Sequence, residues 1–321
     1  MGLKFLAIFL ALVAACSNAA SNVVQRIANR DEKNVRTLSL RLIADLLRRP
    51  LWFAGLGAVM LSFLLQASAL RFGPLALVEP LLICELPLTF LGAAVVLHAP
   101  LGRREWGAAA VMTAGLAALV TFLDPRGGIN HGVAPVVWTA GLGASLGAVV
   151  TFVVLGWRSR GDARAALYGA ASGIQFGITA ALMKGAVANL SSGVLTLFSS
   201  WQTYAMAAAG IFAMFLVQNA LQSGKIVAAQ PGITLLDPFV AIAWGIFAFG
   251  ERISGTGVHL ALATAGGVLM VAGALLLSRS PILERENSSN ERRAPSASAG
   301  KGQPRGGAHG PETGAPERAG V

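Results

Sequence analysis

Apolar residues arrive along this chain in blocks of about 20, the length a helix needs to cross bilayer hydrocarbon. The blocks run 3–24, 51–72, 74–98, 106–123, 133–157, 165–190, 203–222, 226–250 and 258–277. Short polar or glycine-bearing gaps separate most of them. The pattern predicts nine membrane-crossing helices in an all-α integral membrane protein. A different material follows from Arg279, where Pro, Gly, Ser and charges of both signs replace the apolar runs. Such a stretch buries too little apolar surface to offset the entropy of ordering, so 279–321 is expected to be a disordered tail.

The apolar pattern also repeats. Residues 69–120, shifted by 151 positions without a gap, fall on 220–271. Ala69/Ala220, Leu70/Leu221, Gly73/Gly224, Pro80/Pro231, Pro87/Pro238, Thr113/Thr264, Ala114/Ala265 and Gly115/Gly266 coincide. Matching Ala and Leu mean little in an apolar chain, but two Gly pairs and two Pro pairs in one register do not arise cheaply. A looser match sets Gln25 on Lys184. Related helices then lie five spans apart, an odd number, so the two copies run through the membrane in opposite directions. The division expected is a first repeat in 1–124, a linking helix five in 125–160, a second repeat in 161–278 and the tail.

Charge changes the picture in one respect. The net charge of +10 suits a nucleic-acid binder, but with 55% hydrophobic and 12% charged residues the basic side chains sit between the apolar blocks. They therefore read as topology. If the N-terminus lies outside, inward segments hold twenty Lys and Arg, including Arg26, Arg30, Lys33, Arg36, Arg41, Arg48 and Arg49, against four outside (Lys4, Arg71, Arg126, Arg252). The expected place is the inner membrane of a bacterium, with the N-terminus out and the C-terminus in. The stretch Phe5–Val13 leading to Cys16 also has the layout of a lipoprotein leader, but that reading puts seven basic residues outside. Cys16 and Cys84 sit inside apolar runs with no nearby set of Cys, His or acidic ligands, and support neither a disulfide framework nor a metal site.

Candidate chemistry lies inside the spans. Glu85 and Asp237 fall near the midplane, where an ionised carboxylate costs about 2.5–3.5 kcal/mol on insertion scales. The functional reading is a titrating or cation-binding group; the bland one is a helix contact. Glu79 lies nearer the outer end, as an entrance site or an exposed interfacial carboxylate. Pro80, Pro87, Pro231 and Pro238 each remove a backbone N–H and predict helix breaks in matched positions, the usual pointer to a midplane site. Asn18, Asn22 and Gln25 share one face of the first helix; Gln66, Gln175, Gln218, Asn219 and Gln230 are further polar residues within spans, expected to face the interior. Lys184 either snorkels or meets an anion or carboxylate. Gly169, Gly173, Gly177, Gly143 and Gly147 form small-residue faces for close packing, within the chain or against a second copy. Trp52, Trp106, Trp157 and Trp201 fall at span ends as interfacial anchors, and His98 and His259 sit at helix ends.

The motif Ala69-Leu70-Arg71-Phe72-Gly73-Pro74-Leu75-Ala76-Leu77-Val78-Glu79-Pro80-Leu81, with Trp52, Gly55 and Gly57 before it, resembles the drug/metabolite transporter superfamily with its EamA-like repeats. So do Ala220-Leu221-Gln222-Ser223-Gly224, Gln230-Pro231 and the ending Phe249-Gly250-Glu251-Arg252. The nearest likeness is to its nine-span NIPA-type magnesium-transporter branch. The first half departs from the pattern: Ala99-Pro100 replaces the Gly-Glu ending, with Glu105 further on, and Gln25-Arg26 stands where that branch has Lys-Lys-Gly. The resemblance implies a membrane transporter; no nucleophile–base pair, phosphate loop or metal triad appears in the sequence, so an enzyme is not expected, nor a cofactor or a nucleic-acid partner.

Three readings remain open. The first is a secondary carrier of a small polar solute, with Glu85 and Asp237 as proton or cation coupling sites. The second is a Mg²⁺ pathway lined by Glu79, Glu85, Asp237, Asn18 and Gln230, since hard cations take oxygen ligands. The third is a membrane scaffold without transport, in which the matched carboxylates and prolines are accidents.

Overall fold

In hydrocarbon no water satisfies the backbone, so apolar blocks of this length are stable as helices whose N–H and C=O groups pair internally. The computed structural model of the chain describes residues 2–30, 50–97, 102–128, 132–253 and 255–278. Among the described residues nine helical spans are long and apolar enough to cross a membrane, so this is a multi-pass membrane protein. The elements are α1 (Gly2–Arg30), α2 (Pro50–Phe72), α3 (Leu75–Leu82), α4 (Glu85–Leu97), α5 (Arg103–Leu123), α6 (Pro135–Arg158), α7 (Gly161–Ala188), a short α8 (Val194–Ser199), α9 (Trp201–Ser223), α10 (Ile226–Phe247) and α11 (Gly257–Ser278). Two three-residue strands, β1 (Pro125–Gly127) and β2 (Glu251–Ile253), pair antiparallel with Arg126 opposite Arg252. Residues 31–49 with their basic side chains, His98, Ala99-Pro100 and the tail 279–321 lie outside the described residues.

Side-chain contacts fix the alternation of the helices. The β1–β2 ribbon, the starts of α1, α3, α6, α9 and α11, and the ends of α2, α5, α7 and α10 all meet at one end of the bundle. Phe122 stacks edge-on to His259 there, Lys4 pairs with Asp124 and Trp138 packs on Trp201. At the far end, Asp162 at the start of α7 accepts the Lys225 backbone N–H at 3.0 Å. Arg164 donates to the Ser159 carbonyl at 2.8 Å beyond the end of α6.

Packing falls into corresponding sets. α1 lies against α2, α3 and α4, while α7 lies against α9 and α10; α5 packs on α11 and α3 on α10. The α7–α10 contact is made by the glycines the sequence marked. A Cβ at Gly169, Gly173 or Gly177 would meet the backbone of Ala229, Gly232 or Asp237, so the two helices approach as only Gly permits. The same closeness joins α5 and α11, where Gly115 faces Gly266 and Met270, and Gly266 faces Gly115 and Leu119. A Cβ at Gly143 or Gly147 on α6 would meet nothing within 4 Å among the described residues.

The prolines behave differently in the two copies. Between Pro80 and Pro87 the span is interrupted: α3 ends at Leu82, and Ile83, Cys84 and Leu86 donate to the carbonyls of Pro80, Leu81 and Ile83 at 3.0–3.1 Å, the tighter three-residue turn. α10 instead runs through Pro231 and Pro238 without interruption, so the breaks expected at those two residues are absent. The glycine face of α7 holds that helix along its length, and packing of this kind keeps a proline-bearing helix continuous although a backbone bond is lost.

Candidate functional site

Two buried polar assemblies occupy this bundle, and they differ in how well they are satisfied. The first is at the ribbon end. α3 begins after Pro74, which offers no side-chain cap, so its first N–H groups need acceptors from elsewhere. Glu251 supplies them: its carboxylate accepts from Leu75 N at 2.6 Å and Ala76 N at 2.9 Å. Lys184 reaches the same carboxylate at 2.9 Å and donates to the Gly73 carbonyl at 3.0 Å. Its ammonium lies 5.3 Å from the Phe249 ring centroid. Lys184 is 1% exposed and Glu251 3%, so the lysine binds a carboxylate deep in the bundle and does not snorkel. A buried pair costs its desolvation, offset here by helix N–H groups and the positive end of α3's dipole.

Aromatic rings close the same end. Trp138 sits 5.3 Å from both Trp201 and Trp244, and 6.0 Å from Phe249. Trp244 donates from Nε1 to the Ser145 hydroxyl at 3.1 Å. Outside the spans, Asp124 caps α5 in a left-handed conformation, φ 35°, and accepts from Lys4 and, at 2.7 Å, from Arg126. The Lys4 hydrogen bond, helped by Arg126, holds the Asp124 carboxyl below its ordinary value against the opposing effect of burial.

The second assembly lies between the ends, where α3, α4 and α10 carry Glu79, Glu85 and Asp237. Asp237 is within Coulombic reach of both glutamates. Gln66 on α2 donates to Glu79 at 3.0 Å, and Asn18 on α1 donates to Glu85. Glu79 is 3% exposed and so is neither an entrance residue nor an interfacial one: the break after Leu82 and the packing of α3 on α10 carry it inward. Asp237 keeps a buried Oδ1 with no hydrogen-bond partner, as do the Thr89 hydroxyl and Gln175 Oε1. Such groups are uncommon in folded proteins and call for an explanation. Among the described residues no three His, Cys, Asp or Glu side chains are grouped to hold a metal ion.

The structure thus brings Asn18, Gln66, Glu79, Glu85 and Asp237 together. It does not bring the other predicted residues there. Gln218 is exposed, off the buried Ala209–Ala213–Leu216–Ala220 face of α9, and Asn219 donates to the Phe215 carbonyl of its own helix at 2.8 Å. Gln230 donates to Thr234 one turn along α10 at 3.3 Å. Gln175 points its amide toward the Ala209 carbonyl on α9 at 3.5 Å, and Asn22 is half-buried on α1. Sequence reasoning missed Thr89, Trp138 and the pairing of Lys184 with Glu251. The last had a signal: a lysine inside a span demands an acid, and helix alternation sets Glu251 at the same end.

No family model matches the chain, and no solved structure matches it. Over 253 residues it is 28% identical to an uncharacterized protein of Corynebacterium glutamicum, covering 78% of this chain and 86% of that one.

Proposed function

We propose that this protein is a secondary transporter of the drug/metabolite type, moving a small polar solute by alternating access between two inverted repeats. The observation that carries the reading is the half-buried Asp237, whose shielded Oδ1 has no hydrogen-bond partner, with Glu79 and Glu85 in electrostatic reach. A stability-driven core would have filled that acceptor or replaced the residue with an apolar one. A carrier needs a polar group that is completed only by its load.

Several further features support the reading. Gly115 meets Met270 while Gly266 meets Leu119, and these are the same two positions of the 151-residue repeat exchanged, the reciprocal contact that a two-fold relation produces. The described basic residues favour the far end, where Arg103, Arg104, Arg158, Arg160, Arg164 and Lys225 lie. By the positive-inside rule that end faces the cytoplasm and the ribbon end faces out. The relative from Corynebacterium glutamicum fits a bacterial inner membrane. In this orientation the outer side is closed by the Glu251 hold on α3, the Trp138 cluster and the β-ribbon. Rocking one repeat against the other would open that side and close the far one, exposing the carboxylates alternately. Gly143 and Gly147 leave a small-residue face on α6 free for lipid or a second copy of the chain.

The test is uptake into proteoliposomes by the full chain, using labelled polar solutes and, with a trapped indicator, Mg²⁺. Carriage of an organic solute that Glu85→Gln/Asp237→Asn abolishes is the expected result. Influx of Mg²⁺ alone would favour the magnesium pathway, and no flux from folded protein across the whole panel would leave a scaffold.

A further inference from the structure

The ribbon end holds a second polar feature, apart from the buried Glu251. A cavity of about 250 Å³ lies there between the start of α1, the link from α2 to α3, and β1, with Leu3, Lys4, Phe72, Pro74, Pro125 and Arg126 in its wall. Three spans, Gly2–Val24, Phe53–Phe72 and Arg103–Leu123, begin or end beside it. The cavity therefore opens at the depth where bilayer hydrocarbon gives way to headgroups.

Its wall carries charge of one sign. Lys4 and Arg126 line it, and the lining residues include no acid. Both cations share a single carboxylate, Asp124, so one positive charge is left over. An ammonium has three N–H donors and a guanidinium five, more than the roughly four acceptor sites of one carboxylate. Both side chains remain reachable, Lys4 at 35% and Arg126 at 69% exposure. Arg252 stands opposite Arg126 in the ribbon and Arg71 lies beside Phe72, which adds positive field. Next to these cations Leu3 is 64% exposed and Phe72 37%, apolar side chains on the outside of the bundle.

Surplus positive charge, N–H donors to spare and exposed apolar neighbours at headgroup depth fit one ligand chemistry. A phosphodiester monoanion brings one negative charge and oxygens that accept from Lys and Arg, while its acyl chains lie along Leu3 and Phe72. We propose that this cleft binds the phosphate of an anionic phospholipid, held by Lys4 and Arg126, so that one lipid joins α1, α2 and β1. The inference does not rest on the transporter reading.

The test is lipid binding by the full chain in a non-ionic detergent, followed by native mass spectrometry. The probes are dioleoyl phosphatidylglycerol, dioleoyl phosphatidylcholine and inorganic phosphate. The wild type should take up phosphatidylglycerol in preference to phosphatidylcholine. Lys4→Met and Arg126→Gln should each cut that affinity about fivefold, the usual share of one Lys or Arg near an anionic surface, and Lys4→Arg should keep it. Asp124→Asn keeps the left-handed cap, which Asn also tolerates, but removes the competing charge and should raise the affinity severalfold. That sign separates binding from a purely structural role, in which loss of the ion pair could only weaken the site. Equal uptake of the two lipids, an unchanged preference in Lys4→Met/Arg126→Gln, or weaker binding in Asp124→Asn would overturn the proposal. Displacement of the lipid by millimolar inorganic phosphate would overturn the lipid as source and leave a site for the free anion.

Discussion

Glu251 and Asp237 lie fourteen positions apart, one in the ribbon just after α10 and one within that helix; Glu251 is buried, and Asp237 is half-buried with its Oδ1 shielded. Glu251 receives two backbone N–H groups and a lysine; Asp237 retains an empty acceptor and two acidic neighbours. Charge does not separate them. Completeness of partners does. The ribbon end uses its carboxylate to tie the strand after α10 to the first turn of α3, while the middle of the bundle leaves Asp237 Oδ1 without a partner.

The sharpest way to break this comparison is to strand Glu251. Lys184→Met removes its counter-ion and should cost about 3–5 kcal/mol, the usual loss for one partner of a buried pair. Thermal unfolding in detergent reads it as a large drop in midpoint, and Lys184→Met/Glu251→Gln should be less destabilised than the single change. The next effect is steric. Gly115→Leu puts a branched side chain against the backbone of Gly266 and Leu269, an overpacking expected to cost about 1–3 kcal/mol, whereas Gly143→Leu, in open space, should cost almost nothing. Both are checked in the same melt.

Asp237→Asn should leave the unfolding midpoint within a degree or two of wild type, or raise it, because no satisfied hydrogen bond is lost. It should nevertheless abolish flux. The smallest effect is at the ribbon end. Asp124 is held below its ordinary value, so its link to Lys4 is present at neutral pH and begins to fade as pH falls below about 3.9, the unfolded value, disappearing through the lower folded one. Lys4→Met should therefore cost under about 1 kcal/mol at pH 7, with the difference from wild type vanishing in acid.

The apolar helices could be read directly, because block length is governed by the bilayer itself. The repeat pointed to Gly115 and Gly266, and those two residues touch. Asn18, Gln66, Glu79, Glu85 and Asp237 were legible as interior polar residues because polar groups in spans are costly wherever they occur. Their partners were not: hydrogen bonds between α1 and α4 or α2 and α3 depend on helix rotation, which periodicity in an almost uniformly apolar span does not fix. The same ambiguity misdirected Gln218 and Asn219. Pro231 and Pro238 misled for another reason, since a proline's lost bond breaks a helix only where neighbours leave room. Thr89 gave no signal at all, being one hydroxyl in a run of apolar residues.

The most direct measurement places Asp237→Asn and Lys184→Met side by side in proteoliposomes, with flux and unfolding midpoint recorded for each. A silent but stable Asp237→Asn, beside a Lys184→Met that is destabilised and still transports while folded, is the expected result. An Asp237→Asn that unfolds as readily as Lys184→Met, or one that carries solute at the wild-type rate, would contradict the assignment of the middle carboxylates to the load.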